Sequence, residues 1–528
     1  MSARADIASV RPIIGMEVHV ELSTRTKLFT AAPNPAAAGA MHDDARPNTL
    51  IDPVVLALPG SLPVLNRRAV ELSMLVGMGL GCSIAQRSVW DRKSYFYADL
   101  PKAYQISQYE LPICFDGSVD VPTLAPDGTS WDLDAPSDRI GIVRAHLEED
   151  AGKLLHEAPG GRAIDGSIVD LNRAGTPLLE IVTAPDFTSA ESCVSFARLL
   201  RGLCRFLRAS EGVLQRGHMR FEPNINCELT LDDGRLVRTP IVEVKNLNSY
   251  RALRGAIEHE LREQPGRWVA DGREAGAGTK STRGWDDANL RTIPQREKED
   301  AHDYRYFPDP DLPAVRVSDA WRERVRRELV EAPVERARRY ASGLGIAGKD
   351  AQTLVAERAQ AELFEDSIDE AVARGAERAP AARLAANLIL QVGAKLANRE
   401  ADPGASAADR TLADLGITPA QLGGVVALRA AGSISSNGAD ELVERLCDEA
   451  GADAERLAER EGLLVVRDAG QLDAWCAETI EANAAVADDV RAGKVQAVGR
   501  LIGDVMKRSG GSADAKDIRQ RLLEMLSG

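Results

Sequence analysis

The sequence predicts an α+β protein in unlike parts: a strand-rich N-terminal half, then an all-helical body and a small helical tail domain. Three observations carry this. Short segments between residues 13 and 249 alternate apolar and polar residues with the period of a half-buried strand. Beyond about residue 316, Ala/Glu/Arg/Leu-rich segments at helical period take over, with breaks near 342–349, 402–407, 432–438, 450–452 and 509–513. At 528 residues the chain is too long for one compact core. The expected division is a first domain over 1–315, a helical domain over 316–458 and a tail over 459–528.

Composition narrows the function classes. A formal charge of −15 argues against a protein that coats nucleic acid through excess Lys and Arg, though not against a local basic patch. The seven cysteines are scattered and form no CxxC pair, which suits reduced thiols better than a disulfide framework or zinc cluster. No run of about 18 uncharged apolar residues occurs, so a soluble, cytoplasmic chain without membrane contact is expected.

The first strand is Ile13–Leu22. Ile14, Met16, Val18, Val20 and Leu22 take one face; Glu17, His19 and Glu21 take the other. Two carboxylates and an imidazole in a row suit either a solvated surface or a site for a hard cation such as Mg²⁺. Residues 24–64 read as loop and 66–80 as an amphipathic helix. Gly77, Gly79 and Gly81 end that helix, whereas a phosphate-binding glycine loop opens one.

Next comes DRKSYFYADLPKAYQISQYE, which clusters Tyr95, Phe96 and Tyr97 among Arg92, Lys93 and Lys102 in a chain only 4% aromatic. It reads as a buried aromatic hairpin flanked by snorkelling lysines, or as a cleft wall where Lys102 meets an anion. In 142–150, Arg144, His146, Glu148 and Asp150 share one face, while Glu149 continues the apolar face of Val143, Ala145 and Leu147. A carboxylate on an apolar face needs a counter-charge or a metal. Glu149 is thereby singled out over Glu148, and Glu180, embedded in the apolar run 177–182, is singled out likewise. Each could be a salt-bridged core glutamate or a ligand.

A helix follows over 187–208, with Thr188 as candidate cap. The polar strands 220–227 and 241–249 could present amides and an ammonium to a nucleotide, or cap the helix that starts near Ser249 and runs to about Glu263. Residues 264–300 read as a Gly- and charge-rich loop leading to DYRYFPDPDLP, whose three prolines exclude a helix and whose aromatics imply docking onto the first domain. The last stretch, 491–528, holds eight Lys/Arg against four Asp/Glu. It is either a solvated helical face or a patch for an anionic partner. No GxxxxGK[ST], HExxH or GxSxG motif occurs, which leaves carboxylate-based metal chemistry as the sharper reading.

Six motifs in order, GMEVHVEL, DRKSYFYADLPKAYQISQYE, HLEEDAGK, DLNRAGTPLLEIV, VEVKNLNSYRAL and AHDYRYFPDPDLP, closely resemble the B subunits of the aspartyl/glutamyl-tRNA(Asn/Gln) amidotransferases, from about residue 11 to the C-terminus. The resemblance implies a cradle similar to the glutamine synthetase-like fold, followed by a helical domain and a tail that touches the tRNA body. It implies a carbon–nitrogen ligase that uses ATP and Mg²⁺ to phosphorylate the side-chain carboxylate of misacylated Glu-tRNA(Gln) or Asp-tRNA(Asn). Ammonia tunnelled from a glutaminase partner A then displaces phosphate, in a heterotrimer braced by a small partner C. By motif match Glu17, His19, Glu149 and Glu180 would hold the metal. Lys102, Arg144 and Lys245 are candidates for phosphate contacts or the polar exit of the tunnel, and Asn246, Asn248, Tyr304 and Arg305 belong to the nucleotide cleft. The rival readings are a free-standing carboxylate–amine ligase and a non-catalytic tRNA scaffold.

Three departures stand out. Where many members of that family carry a CxC…CxxC zinc site, this chain has Thr30, Ala32, Asp52 and Val55, so no structural zinc is expected. Arg220-Phe221-Glu222 replaces Arg-Cys-Asp. The lysines usual after an Ile-Ser turn are missing at 435–438, which shifts the expected tRNA contact to 491–528.

Overall fold

A computed structural model describes residues 6–37, 45–158, 161–245, 247–295, 304–399, 410–449, 451–465, 469–492, 494–509, 513 and 515–527. The chain forms two compact units, Met1–Val334 and Glu335–Gly528. It is mixed α/β, with a large sheet in the first unit and helices throughout the second.

The strands in chain order are β1 (Ile7–Glu21), β2 (Ser83–Ile84), β3 (Arg87–Ser88), β4 (Asp91–Ser94), β5 (Tyr104–Ser107), β6 (Cys114–Val121), β7 (Asp138–Glu149), β8 (Lys153–Ala158) and β9 (Arg162–Asp170). They continue as β10 (Pro177–Thr183), β11 (Met219–Leu231), β12 (Leu236–Arg238), β13 (Val242–Lys245), β14 (Ser281–Asp286), β15 (Arg291–Pro294), β16 (Phe307–Pro308) and β17 (Val315–Arg316). Ten of them make one sheet in the order β15-β14-β13-β11-β1-β10-β7-β6-β2, with β12 paired to β11. Its ladders are antiparallel except between β13 and β14.

Alternation decides the two faces. Ile14, Met16, Val18 and Val20 of β1 join Leu179 and Ile181 of β10 and Phe221 and Ile225 of β11 in the main core. That core packs against α1 (Arg67–Gly79) and α2 (Ala190–Phe206). The opposite face of the same strands carries the polar set. A register shift between Val182/Arg144 and Thr183/Ile142 breaks the alternation of β7, so Val143 is half exposed and does not join Ala145 and Leu147 in the core.

Several boundaries move from their expected places. Asn66 caps α1 through Arg68 N and Ala69 N, and Gly81 follows it at φ +70°. Ser189, not Thr188, caps α2, because its hydroxyl reaches Ser192 N. The helix capped by Ser249, α3 (Tyr250–Asp271), continues past Glu263 through Pro265 to Gly272 at φ +71°. Much of the expected loop over 264–300 is therefore the end of α3 and the β14–β15 ribbon. The buried Glu260 carboxylate ties that ribbon to α3 through Arg283, 3.3 Å away, and Thr292. The first unit extends beyond 315 because β17 pairs with β3 and α4 (Asp319–Arg326) docks on α1, Trp321 Nε1 donating to Glu71 at 3.0 Å.

The second unit is helical: α5 (Pro333–Leu344), α6 (Gly348–Leu354), α7 (Arg358–Ala373), α8 (Arg378–Asn387), α9 (Ala394–Arg399), α10 (Pro419–Ala430), α11 (Ser436–Asp448) and α12 (Ala454–Arg460). The tail helices α13 (Ala469–Ala482), α14 (Ala484–Arg491), α15 (Val498–Arg508) and α16 (Ala515–Ser527) enclose their own core, including Cys476, Leu501, Val505, Ile518 and Leu522. The segment at 435–438 opens α11, with the Ser435 hydroxyl accepting from Gly438 N at 3.0 Å. No helix among the described residues is long and apolar enough to cross a membrane.

Candidate active site

The polar face of the central sheet is built in rows, because antiparallel partners directly opposite point the same way. One row runs Arg220, His19, Glu180, His146 across β11, β1, β10 and β7. The next runs Glu222, Glu17, Val182, Arg144. Successive polar residues on each strand stack the rows, and the result lines a cavity of about 520 Å³ closed by Lys93, Tyr109, Tyr304 and Tyr306.

Two carboxylate trios lie in this cavity. In the first, one ligand atom each from His19, Glu148 and Glu180 falls within 4.8 Å of the others. His19 Nε2 stands 3.5 Å from Glu180 Oε2 and 3.7 Å from Glu148 Oε1, and His146 Nε2 is 3.5 Å from the same Glu180 oxygen. In the second, carboxylate oxygens of Glu17, Glu222 and Glu243 likewise lie within 4.8 Å of one another. Here Lys245 bridges Glu222 and Glu243, its Nζ lying 3.0 Å from Glu243 Oε1, while Lys280 approaches Glu243 at 3.4 Å and Asn224 Nδ2 donates to Glu17 at 3.1 Å. Carboxylate oxygens in threes, one set joined by an imidazole, are donors that suit a hard divalent cation. The buried atoms His19 Nδ1 and Asn224 Oδ1 have no hydrogen-bond partner, so donor capacity remains at both trios.

The electrostatics follow from crowding acids in a buried place. Burial pushes the Glu148 carboxyl up to about 7, with Glu180 adding to it. Burial acts against His19 as a cation, yet the hydrogen bond to Glu180 and the charges of Glu222, Glu180 and Glu148 raise it to about 9. His146 goes the other way, lowered by burial to about 4. Glu180 is held below the usual carboxylate range despite its burial, by His146, His19 and Lys93. Lys93 and Lys245 are half-buried lysines whose ammonium form is favoured, against desolvation, by Glu148 and Glu180 in the one case and by Glu222 and Glu243 in the other. Beyond the first trio Arg220 spans Asp150, at 2.9 Å, and Glu21, at 3.5 Å.

The expected site residues divide. Of the four residues expected around one ion, His19 and Glu180 share the first trio while Glu17 falls in the second; all three line the cavity, as do Arg144, Lys245 and Tyr304. Glu149 requires a correction. It faces away from the trios, forms an ion pair with Lys102 and accepts from Ile106 N at 3.0 Å; Glu148 takes the place in the trio. Its apolar-face position is satisfied by an ammonium and a backbone amide, so the choice between Glu148 and Glu149 fails although Ala145, Leu147 and Glu149 keep the expected face, which Val143 leaves. Lys102 goes with it, lining a separate groove beside Tyr104 and Pro101. Asn248 is exposed just before the α3 cap, Arg305 is exposed with φ +46°, and Asn246 lies outside the described residues. Sequence reasoning missed Tyr306 and Lys280 as lining groups and the buried Glu243 as a member of the second trio. Glu243 was legible, since it sits between Val242 and Val244 as Glu180 sits between Leu179 and Ile181.

At the positions that would carry zinc ligands, the Thr30 hydroxyl hydrogen-bonds Asp52, and Asp52 Oδ1 accepts from Val54 N and Val55 N at 3.0 and 2.9 Å. Ala32 and Val55 pack with Leu171 and Ala174 in a small apolar cluster. One hydroxyl, one carboxylate and two alkyl groups do not make a tetrahedral thiolate site.

A sheet face that gathers two acidic trios, two imidazoles and three ammonium groups in one cavity defines the catalytic domain of a carboxylate-rich enzyme, joined here to helical domains. The comparisons agree. Residues 12–323 match the GatB/GatE catalytic domain family and residues 366–526 match the GatB domain family. The aspartyl/glutamyl-tRNA(Asn/Gln) amidotransferase B subunit of Rhodopirellula baltica is 38% identical over 521 residues, covering 98% of this chain and 97% of that protein. The B subunits of a Geobacter species (38%; 98% and 99% covered) and Thermosynechococcus vestitus (39%; 98% and 96%) are similar to the same extent. The chain belongs to the family of B subunits of the aspartyl/glutamyl-tRNA(Asn/Gln) amidotransferases.

Proposed function

We propose that this chain activates and amidates the side-chain carboxylate of Glu-tRNA(Gln), Asp-tRNA(Asn) or both, as the ATP-dependent part of an amidotransferase with a glutaminase partner A and a small partner C. The observation that carries the reading is the pair of acidic trios with Lys93, Arg144 and Lys245 in one cavity. A carboxylate is a poor acyl donor because oxide is a hopeless leaving group. When its oxygen takes the terminal phosphoryl group of ATP and ADP departs, the leaving group becomes phosphate; ammonia then forms the C–N bond as phosphate is expelled.

His19, Glu148 and Glu180 would hold one Mg²⁺, and Glu17, Glu222 and Glu243 a second. Bound there, a divalent cation would supply positive charge to offset that of the nucleotide phosphates and the entering acid. Arg144, whose Nη1 donates to Tyr109 O at 3.3 Å, and the Lys93 ammonium stand where anionic oxygens need counter-charge. Lys245 keeps Glu222 and Glu243 from repelling one another. The longer Glu222, standing where the family has Asp, keeps a carboxylate at the second trio. Lys102, paired with Glu149 off the cavity, suits the polar exit of an ammonia path better than a phosphate contact. A large sheet with the polar cavity on one face and α1 and α2 packed on the other is compatible with a glutamine synthetase-like cradle.

The test supplies mischarged tRNA, ATP-Mg²⁺ and ammonium to the chain with and without its glutaminase and small partners. Amidated tRNA from ammonium is expected. Turnover of free glutamate would replace the reading by a free-standing ligase, and absence of ATP consumption in the full complex by a scaffold.

A further inference from the structure

The second unit has a cavity of its own, about 580 Å³, where the ends of three helices meet. Arg374 and Gly375 close α7 on it, Glu377 and Arg383 bring the start of α8 to it, and α10 ends on it with Arg429. Small apolar side chains make the rest of the wall. The lining thus sets three guanidinium groups against one carboxylate, in a chain whose formal charge is −15.

Two of the arginines have local duties. Arg374 Nη1 donates to Ala420 O at 2.9 Å, with Glu370 3.6 Å away, and Arg429 Nη1 donates to Ile434 O at 3.4 Å. Both stand at helix C-termini, where a cation is favoured, so each alone is an ordinary helix-end residue. Arg383 is different. It sits in the body of α8, exposed, with no hydrogen bond or ion pair to any described residue. The acid of the lining, Glu377, is exposed too, and its side chain makes no hydrogen bond to the start of α8. A guanidinium carries five donors, so these few bonds leave the hollow rich in N–H groups and short of acceptors. Like charges around one hollow repel unless they share something negative.

We propose that this cavity binds a small phosphate-bearing anion, of the size of pyrophosphate or a mononucleotide, between Arg374, Arg383 and Arg429. The guanidinium fork matches phosphate oxygens through paired bonds. A carboxylate has too few oxygens and too little charge for three forks, whereas a phosphate group brings three strong acceptors and nearly twice the charge. The volume is that of a small-molecule pocket, and the Leu384, Pro380 and Ala427 side chains suit the less polar body of such a ligand. A ligand held there joins the ends of α7, α8 and α10. Its binding is independent of the reaction proposed for the first unit.

The test uses the full chain in magnesium-free buffer, treated with the arginine-selective reagent phenylglyoxal, with modification of each arginine followed by peptide mass spectrometry. Inorganic pyrophosphate should protect Arg383 and Arg429 and leave the exposed Arg316 of the first unit unprotected. In Arg383→Gln, read at Arg429, the pyrophosphate needed for half-protection should rise about tenfold, the loss of one charge-assisted contact. Arg383→Lys, which keeps the charge, should raise it less. ADP in place of pyrophosphate separates the sources: tighter protection identifies a nucleotide as the ligand, equal protection a phosphate group alone, and either supports the site. Modification rates unchanged by both anions overturn the proposal. So does equal protection of Arg316, which marks loose ion pairing over the whole surface, or protection by tRNA and by neither small anion, which gives this face to nucleic acid.

Discussion

The two acidic trios lie side by side on one sheet face and are neutralised by different means. The first, His19–Glu148–Glu180, is balanced by the Lys93 ammonium and also by an imidazole, a group that can lose its charge between neutral and alkaline pH. The second, Glu17–Glu222–Glu243, is balanced by the Lys245 ammonium, which keeps its charge, with Lys280 3.4 Å from Glu243. Burying like charges is expensive unless each has a partner. The difference teaches that the sheet provides the spacing of the acids, while the identity of the neighbouring cation decides how each trio responds to protons and to a metal.

The largest expected effect lies within one dipeptide. Glu148→Gln removes a trio carboxylate and should lower amidation at least a hundredfold, the scale of losing one charge-stabilising group. Glu149→Gln should mainly cost stability by leaving Lys102 unpaired, with amidation per folded molecule within about tenfold of wild type. Gel-based assay of amidated tRNA, normalised to folded protein, separates them; the reverse order would return Glu149 to the site.

Next in size is Lys245→Met. Without magnesium it leaves Glu222 and Glu243 facing each other and should cost about 3 kcal/mol in urea unfolding. Added Mg²⁺ should narrow the gap, because a cation then does what the ammonium did. A gap indifferent to Mg²⁺ would remove the second trio from the candidate cation sites.

A pH series sharpens the contrast between the trios. His19 has a folded value near 9 against an ordinary 6.5, so its contribution is fully present below pH 6.5 and is lost as pH rises through about 9. Metal-free protein should therefore lose on the order of 2 kcal/mol between pH 6.5 and 9.5, and His19→Gln should flatten that loss. Equal slopes in the two proteins would show that the imidazole is not charged by its neighbours.

The smallest effect is expected in the tail, where charges sit on solvated helices. Arg508, Arg521, Arg491 and Lys494 already pair with Glu478, Asp473, Asp488 and Asp489, so the basic excess read from 491–528 is partly spent within the tail. Replacing Arg500, Lys507 and Arg519 by Gln should weaken tRNA binding a few-fold at low salt. Each lost phosphate contact should reduce the salt slope by about one. An unchanged slope would take tRNA away from this face.

Much of this was readable before folding. Strict alternation in 13–22 gives both faces of β1, and a glutamate inside an apolar run marks Glu180 as needing a cation, whatever lies around it. The same argument misdirected the choice at 148–149. Period-2 reasoning sorts residues onto faces but does not say which face meets the other strands' acids, nor that Lys102 waits on the far side for Glu149. The bulge at Val143 was invisible for a related reason: a register shift depends on the partner strand, not on the residue that moves.

By itself, then, the sequence determined local period, the start of α3 near Ser249, the family, and the acids that could not be buried alone. Only the tertiary structure decided that Glu17 of β1 converges with Glu222 and Glu243, about 200 residues further along the chain, and that Glu148 rather than its neighbour completes the other trio. Side-chain direction follows from the backbone's own repeat, whereas partners across a sheet are chosen by register and by long-range packing.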